Sequence, residues 1–154
     1  MYHRAVILVL SVLAVMPVLA GEPAANIQVA NPYVRAVPPG QPNSAAFMEL
    51  TNPGEADRAL IAASSAAAET VELHTHTMVD GMMQMRRVER IDLPAGETVT
   101  LAPGGLHVML IGLTVPLAPG DRIALTLTFD EGSEEQVSAP VRAIAAVPMP
   151  HQHH

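Results

Sequence analysis

Short runs in which apolar and polar positions alternate recur along most of the chain, and turns rich in proline and glycine separate them. The clearest runs are SAAFMELTN (44–52), LHVMLIGL (106–113) and DRIALTLTFD (121–130). Alternation is the period of a half-buried strand, and short strands spaced about 10 residues apart are typical of sandwiches and barrels. The pattern therefore predicts one all-β domain over residues 21–146, an antiparallel β-sandwich or barrel.

Other segments fit the same pattern, and only one of them admits a helix. Strand-like runs are expected in residues 27–37, 69–78, 82–91 and 135–144, and a short strand is expected within LPAGETVTLAPGG. The alanine content of ALIAASSAAAE (59–69) allows a helix, but a strand over Ala59–Ala63 is at least as well supported.

The first 20 residues have the pattern of a secretory signal. A short positive start, MYHR, precedes the apolar residues 5–20, and Val18 and Ala20 supply the small side chains of a cleavage site before Gly21. An N-terminal membrane anchor is the alternative, but the run contains Pro17, and a spanning helix needs about 20 apolar residues. We predict cleavage after Ala20, export to the periplasm and no stable insertion in the membrane.

The amino-acid composition limits which classes of partner the exported domain can be expected to bind. One of the 8 basic residues, Arg4, leaves with the signal, so 7 remain against 15 acidic residues, and none of them is a lysine. A nucleic acid is therefore a poor candidate partner. Exported proteins often carry disulfides, but this chain has no cysteine, so an aliphatic core must stabilise the fold.

Histidine and methionine are concentrated in the stretch HTHTMVDGMMQMR, residues 74–86. Asp80-Gly81 lies at its centre, and Asp-Gly between two strand-like runs is a strong signal for a two-residue hairpin turn. Such a turn would pair His76 with Met85 and Met78 with Met83 on the facing strands.

Alternation along these strands predicts which side chains share a face. One face would carry imidazoles, thioethers and an arginine: His74, His76, Met78, Met83, Met85 and Arg87. The opposite face would carry Leu73, Thr75 and Val88. A register slip of one residue would break this arrangement, and the sequence leaves that alternative open.

A second His-Met pair occurs in GLHVMLIGL, where Leu106, Val108 and Leu110 would face the core. His107 and Met109 would then lie side by side on the other face, which we expect to be less buried. His-x-Met on a strand is a natural way to present two ligands to one metal ion.

These residue types favour a soft metal ion. Methionine is a common core filler, but every histidine outside the signal and the last 7 residues lies in these two segments. Thioether sulfur selects Cu(I) over Zn²⁺, Mg²⁺ or Ca²⁺, and zinc sites use Cys, His and carboxylate instead. A blue-copper centre is excluded because it requires a cysteine thiolate.

The spacing H-x10-M-x21-H-x-M, with the flanks VELHTHTM, DGMMQMR, LPAGETV and LAPGGLHVMLIGL, resembles that of the periplasmic PCuAC-type copper chaperones. The similarity covers residues 27–145. It implies a cupredoxin-like β-barrel or sandwich that binds one Cu(I) through His74, Met85, His107 and Met109. His76 is not part of the pattern but would face Met85, which makes it a further candidate ligand.

The resemblance also implies partners. Copper would be delivered to the CuA centre of cytochrome c oxidase subunit II, with a Sco-type thiol protein acting beside it. Residues 147–154 read as a mobile tail, and some relatives carry a similar extension proposed to hold a second copper, Cu(II). Its candidate ligands here are Met149, His151, His153 and His154, and a nonspecific metal-binding tail is the alternative.

Other functions stay open at this stage. A copper buffer or resistance protein would bind the same ion without a dedicated recipient. A β-sandwich adhesion domain would require the histidines and methionines to be accidental. We expect a binding protein and not an enzyme, because no supported Ser/His/Asp set, cysteine nucleophile or glycine-rich phosphate loop occurs in the sequence.

Overall fold

The computed structural model describes residues 26–144, so the predicted signal (1–20) and the predicted tail (147–154) lie outside the described residues. The described part consists of strands joined by turns, and it contains no helix, as predicted for an all-β domain. The strands are β1 (Gln28–Arg35), β2 (Asn43–Thr51), β3 (Arg58–Ser64), β4 (Ala68–Val79), β5 (Met82–Arg87), β6 (Ile91–Leu93), β7 (Thr98–Leu101), β8 (His107–Leu113), β9 (Arg122–Phe129) and β10 (Glu134–Arg142).

The strands form one hydrogen-bonded path in the order β5-β4-β8-β2-β1-β10-β9-β3-β6. Strand β2 pairs with β8 through its first half and with β7 through its second half, and β1 covers its other edge. All pairs are antiparallel except β1 and β10, which join the two halves of the path by a short parallel contact. Within residues 26–144 there is no helix that could cross a membrane.

One aliphatic core lies between the two halves of the path. In β9, Ile123, Leu125, Leu127 and Phe129 are buried at alternate positions, and they belong to the same cluster as Leu110 from the other half. Burying one such side chain contributes about 1.5–3 kcal/mol to the free energy of folding, so a domain without disulfides can be stable. The core holds β4 and β8 side by side, and these two strands position the site described below.

One open alternative of the sequence analysis is resolved by the structure, and one predicted run differs from it. The helix allowed for residues 59–69 is wrong, because the strand alternative is what the structure has: β3 there pairs with β6 and β9, and a turn separates it from β4. The predicted run 82–91 is divided into β5 and β6. Strand β5 stays at the edge beside β4, whereas Ile91 and Leu93 turn into the core and pair with β3.

The β4–β5 hairpin has the predicted turn. Asp80 and Gly81 both have positive φ, 50° and 75°, which is the conformation of a type I′ turn. Such backbone angles strain any residue with a Cβ, although aspartate tolerates them better than most. The glycine at the second position therefore helps to fix the register of the hairpin.

Substitution Gly81→Ala should destabilise the protein by about 1–2 kcal/mol, because the new Cβ would be held in the left-handed region. Urea unfolding measures the change. Gly105→Ala is the matched control: Gly105 is outside that region, and a Cβ there meets only the Ala102 oxygen at 3.7 Å. Its effect should stay within about 0.5 kcal/mol. Equal losses in the two variants would show that the turn conformation is not what constrains the hairpin.

Candidate metal centre

The register of the β4–β5 hairpin is the predicted one. His76 pairs with Met85, Met78 with Met83, and Val79 with Met82. The predicted faces follow: Leu73 is buried and Val88 packs against the core, whereas the side chains of the His76–Met85 and Met78–Met83 pairs lie on the other side. The one-residue slip that the sequence left open does not occur.

Strand β8 lies on the other edge of β4 and brings the second His-Met pair to the same face. His74 pairs with His107, and Glu72 pairs with Met109. The ring centres of His74 and His107 are 5.8 Å apart, and those of His76 and His107 are 5.1 Å apart. Three imidazoles thus converge, with His107 between the other two.

His107 is far more buried than the sequence indicated. Its exposed fraction is 1%, although its strand face was expected to be the less buried one. The reason is nonlocal: the Phe47 ring of β2 lies 6.2 Å from the His107 ring, and His74 and His76 cover it from β4. Met109, on the same face, is only partly buried.

A pocket of about 480 Å³ opens beside His107. Four of the predicted ligands or candidates line it, and these are His76, Met85, His107 and Met109. The loop residues Pro103 and Gly104, the β1 residue Arg35 and Phe47 complete much of the wall. His74 does not line this pocket, so the structure gathers three of the four motif residues there together with His76.

The hydrogen bond of His107 defines which of its nitrogens is free. Nδ1 lies 3.0 Å from the carbonyl oxygen of Gly105. Because a carbonyl only accepts, Nδ1 is assigned as the donor, and a neutral ring then keeps a lone pair on Nε2. Burial lowers the pKa of His107 below 6.5, with neighbouring His76 and His74 acting in the same direction against the hydrogen bond to Gly105. The neutral form is the one that binds metals.

His74 is oriented by a carboxylate. Its Nε2 lies 2.8 Å from Oε2 of Glu72, and this hydrogen bond lowers the pKa of the Glu72 carboxyl, with Arg87 contributing. An ionised carboxylate accepts, so Nε2 of His74 is assigned as the donor and Nδ1 carries the lone pair. This Nδ1 is buried and has no hydrogen-bond partner, and the same is true of Nδ1 of His76.

The donor set fits a soft cation. Buried nitrogens normally have partners, but Nδ1 of His74 and Nδ1 of His76 have none, and His76 lines the pocket together with two thioethers. Imidazole nitrogens bind metals at about 2.0–2.1 Å, so rings whose centres are about 5–6 Å apart can share one ion. Within residues 26–144, no group of three or more His, Cys, Asp or Glu side chains is arranged to hold a metal.

The outer part of the same face is open to solvent. Met85 is 46% exposed, and Met83 and Met78 are 58% and 67% exposed. The sequence pattern placed all three on this face. It did not identify Phe47, which covers His107, and it did not identify Glu72, although a carboxylate two residues before a histidine on a strand shares its face.

The predicted tail ligands Met149, His151, His153 and His154 lie outside the described residues.

Comparison with known proteins identifies one matching family and a similar protein of known sequence. The model of the family described as "Putative lipoprotein LpqE-like" matches residues 27–141. The protein Lxx21020 of Leifsonia xyli subsp. xyli is 37% identical over 123 residues, which are 79% of this chain and 73% of that protein.

Two solved structures share the fold. The copper-bound PCuAC domain from PmoF2 has a TM-score of 0.66 and 28% identity, and the match covers 79% of this chain and 97% of that domain. The Cu(I) form of DR1885 from Deinococcus radiodurans has a TM-score of 0.65 and 37% identity, over 80% of this chain and 83% of that one. The resemblance to PCuAC domains that the motif indicated, and the cupredoxin-like fold it implied, are confirmed.

The lowered pKa of His107 predicts how stability changes with pH in the metal-free protein. Near and below pH 6.5 the folded protein binds fewer protons at this ring than the unfolded chain does, so the free energy of unfolding falls as the pH is lowered. Urea unfolding across this range measures the loss, and it should be smaller in His107→Gln. NMR titration of the His107 ring should give a midpoint below 6.5, and a midpoint at or above that value would contradict the prediction.

Proposed function

Because this chain belongs to the LpqE-like family, we propose that it is an exported copper chaperone that binds Cu(I) in the His/Met pocket and passes it to another protein. The observation that carries the proposal is the meeting of His76, Met85, His107 and Met109 around one pocket, with His74 directly beside it. Support also comes from two similar solved structures, the copper-bound PCuAC domain from PmoF2 and the Cu(I) form of DR1885.

The proposed ligands are His74, Met85, His107 and Met109, with His76 as an additional donor. Thioethers and neutral imidazoles are soft or intermediate donors and suit Cu(I). His107 would bind through Nε2, since Gly105 engages Nδ1, and His74 would bind through Nδ1, since Glu72 engages Nε2. In each case the hydrogen bond at one ring nitrogen fixes the orientation of the ring, and the other nitrogen is left free to bind the metal.

Transfer is proposed to proceed by ligand exchange without covalent chemistry on this protein. Met85 is nearly half exposed on an edge strand, so an incoming group can replace it while His107 still holds the ion. The proposed recipient is the CuA centre of cytochrome c oxidase subunit II, with a Sco-type thiol protein beside it. The proposed tail ligands Met149, His151, His153 and His154 would hold a second copper, Cu(II).

The proposed location is the periplasm, after cleavage of residues 1–20. An envelope or extracellular location is supported by the lipoprotein description that the matching family and Lxx21020 share. The apolar run and small residues before Gly21 support removal of the leader.

An anaerobic Cu(I) competition titration tests the binding site. The exported protein should bind one Cu(I) tightly in the described domain. Met109→Leu should weaken that binding by at least about tenfold, or about 1.4 kcal/mol, because one sulfur ligand is lost while the side-chain volume is nearly conserved. A chain ending at Ala146 should keep the site.

Met48→Leu is the matched control, because Met48 is a buried core methionine outside the pocket lining. It should bind copper as the parent protein does. If removal of residues 147–154 abolished Cu(I) binding and Met109→Leu left it unchanged, the pocket would not be the copper site. The same titration of His76→Ala measures the contribution of His76 to the Cu(I) affinity separately from the contributions of the four motif residues.

Delivery is tested in a strain that lacks the protein. With limiting copper, such a strain should lose CuA assembly in its cytochrome c oxidase while its tolerance of excess copper stays normal, because a dedicated chaperone acts where copper is scarce. Complementation with Met109→Leu should fail, and complementation with Met48→Leu should succeed. The opposite result, normal oxidase with lowered copper tolerance, would favour the alternative of a copper buffer or resistance protein.

A further inference from the structure

We propose that Met78 and Met83 form a second, outer Cu(I) site, through which the ion passes between the pocket and solvent-borne acceptors. We call these two residues the outer thioether pair. This inference rests on the proposed function, because it assumes that the pocket holds Cu(I). The pair is separate from the four motif residues and from the pocket lining.

The hairpin geometry places the two sulfur-bearing side chains against each other. A two-residue type I′ turn is closed by a hydrogen-bonded pair, which is Val79 and Met82 here. Pairs alternate from there, so Met78–Met83 and His76–Met85 are both non-hydrogen-bonded pairs, in which opposed side chains approach most closely. The outer thioether pair is thus the next pair along the face after one that lines the pocket.

Exposure increases in one direction along this face. It rises from 1% at His107 to 46% at Met85, and then to 58% and 67% at Met83 and Met78. The outer pair belongs neither to the buried core cluster nor to the partly buried side chains packed against it, so gap filling in the core, the usual use of methionine, does not account for it. Apolar side chains on an exposed edge strand also carry an association risk, which charged residues would avoid.

The chemistry of the step is a ligand exchange. A bond between Cu(I) and the sulfur of Met83 forms as the bond to the sulfur of Met85 breaks. The bond to the sulfur of Met78 then forms as the bonds to the remaining pocket ligands break. Copper stays Cu(I), and no proton moves because a thioether is a neutral donor without a proton. With two exposed sulfurs in place of a set that includes buried imidazoles, the outer site binds more weakly, which suits an intermediate in transfer.

The double variant Met78→Leu/Met83→Leu tests the proposal, because leucine keeps the apolar bulk and removes the sulfur. The Cu(I) affinity of the pocket should be unchanged in the full exported chain. The rate at which bicinchoninate withdraws Cu(I) should fall by about tenfold, which corresponds to about 1.4 kcal/mol of barrier.

Met82→Leu is the matched control. Met82 lies on the same hairpin end and is 64% exposed, but alternation places it on the opposite face from Met83. Its withdrawal rate should equal that of the parent protein. Equal slowing in Met82→Leu, or no slowing in the double variant, would overturn the outer site.

NMR of the methionine methyl groups separates this proposal from the proposed function. Cu(I) added up to one equivalent should shift the methyls of Met85 and Met109, and an excess should shift those of Met78 and Met83 but not Met82. If the pocket methyls shift and the outer ones never do, the outer site is wrong and the pocket stands. If only the outer pair responds, the pocket is not the copper site, and the proposed passage of the ion between the pocket and the outer pair is wrong as well.

Discussion

Strand β4 pairs with β5 on one edge and with β8 on the other, and the geometry of the pocket depends on the register of both pairings. Its pairing with β5 places His76 opposite Met85, and its pairing with β8 places His74 opposite His107. Because side chains alternate with a period of two, a shift of one residue on either edge would turn half of the donors to the other face. The type I′ turn fixes the first register, and burial of Leu73 and Val108 in the core fixes the second.

The donors that these registers assemble are uncharged, which bears on how firmly a cation would be held. Imidazole and thioether ligands offer lone pairs but no negative charge, whereas a cysteine thiolate offers both. The pocket wall also includes Arg35, a positive charge. A soft ion in this pocket would therefore be held by the bonds to its ligands and not by neutralisation of its charge by those ligands. A thiolate of an acceptor protein would attract the cation more strongly than these neutral ligands do. This difference favours transfer away from the pocket, as the proposed function requires.

Sequence reasoning predicted the parts of the site that local geometry determines. Asp80-Gly81 specifies its own turn, and the turn then specifies which residue faces Met85, so the hairpin face followed from 13 consecutive residues. The burial of His107 could not be predicted in the same way, because it depends on Phe47, which is 60 positions away in the sequence and lies in β2. The division between β5 and β6 was not predicted for a similar reason: Ile91 is buried in the core and pairs with β3, which is distant in the sequence.

The same strand geometry leaves two histidines, His74 and His76, as candidate ligands on either side of His107. His74 and His76 lie two positions apart on one face, about 7 Å along the strand, and the His107 ring lies within 5.8 Å of both ring centres. The motif resemblance favours His74, which Glu72 orients, whereas the pocket lining includes His76. An ion bound to His107 would therefore have an imidazole on each side, and exchanging one for the other requires only a short movement along the face. Stepwise exchange is then a consequence of the period of the strand, and it needs no change in the fold.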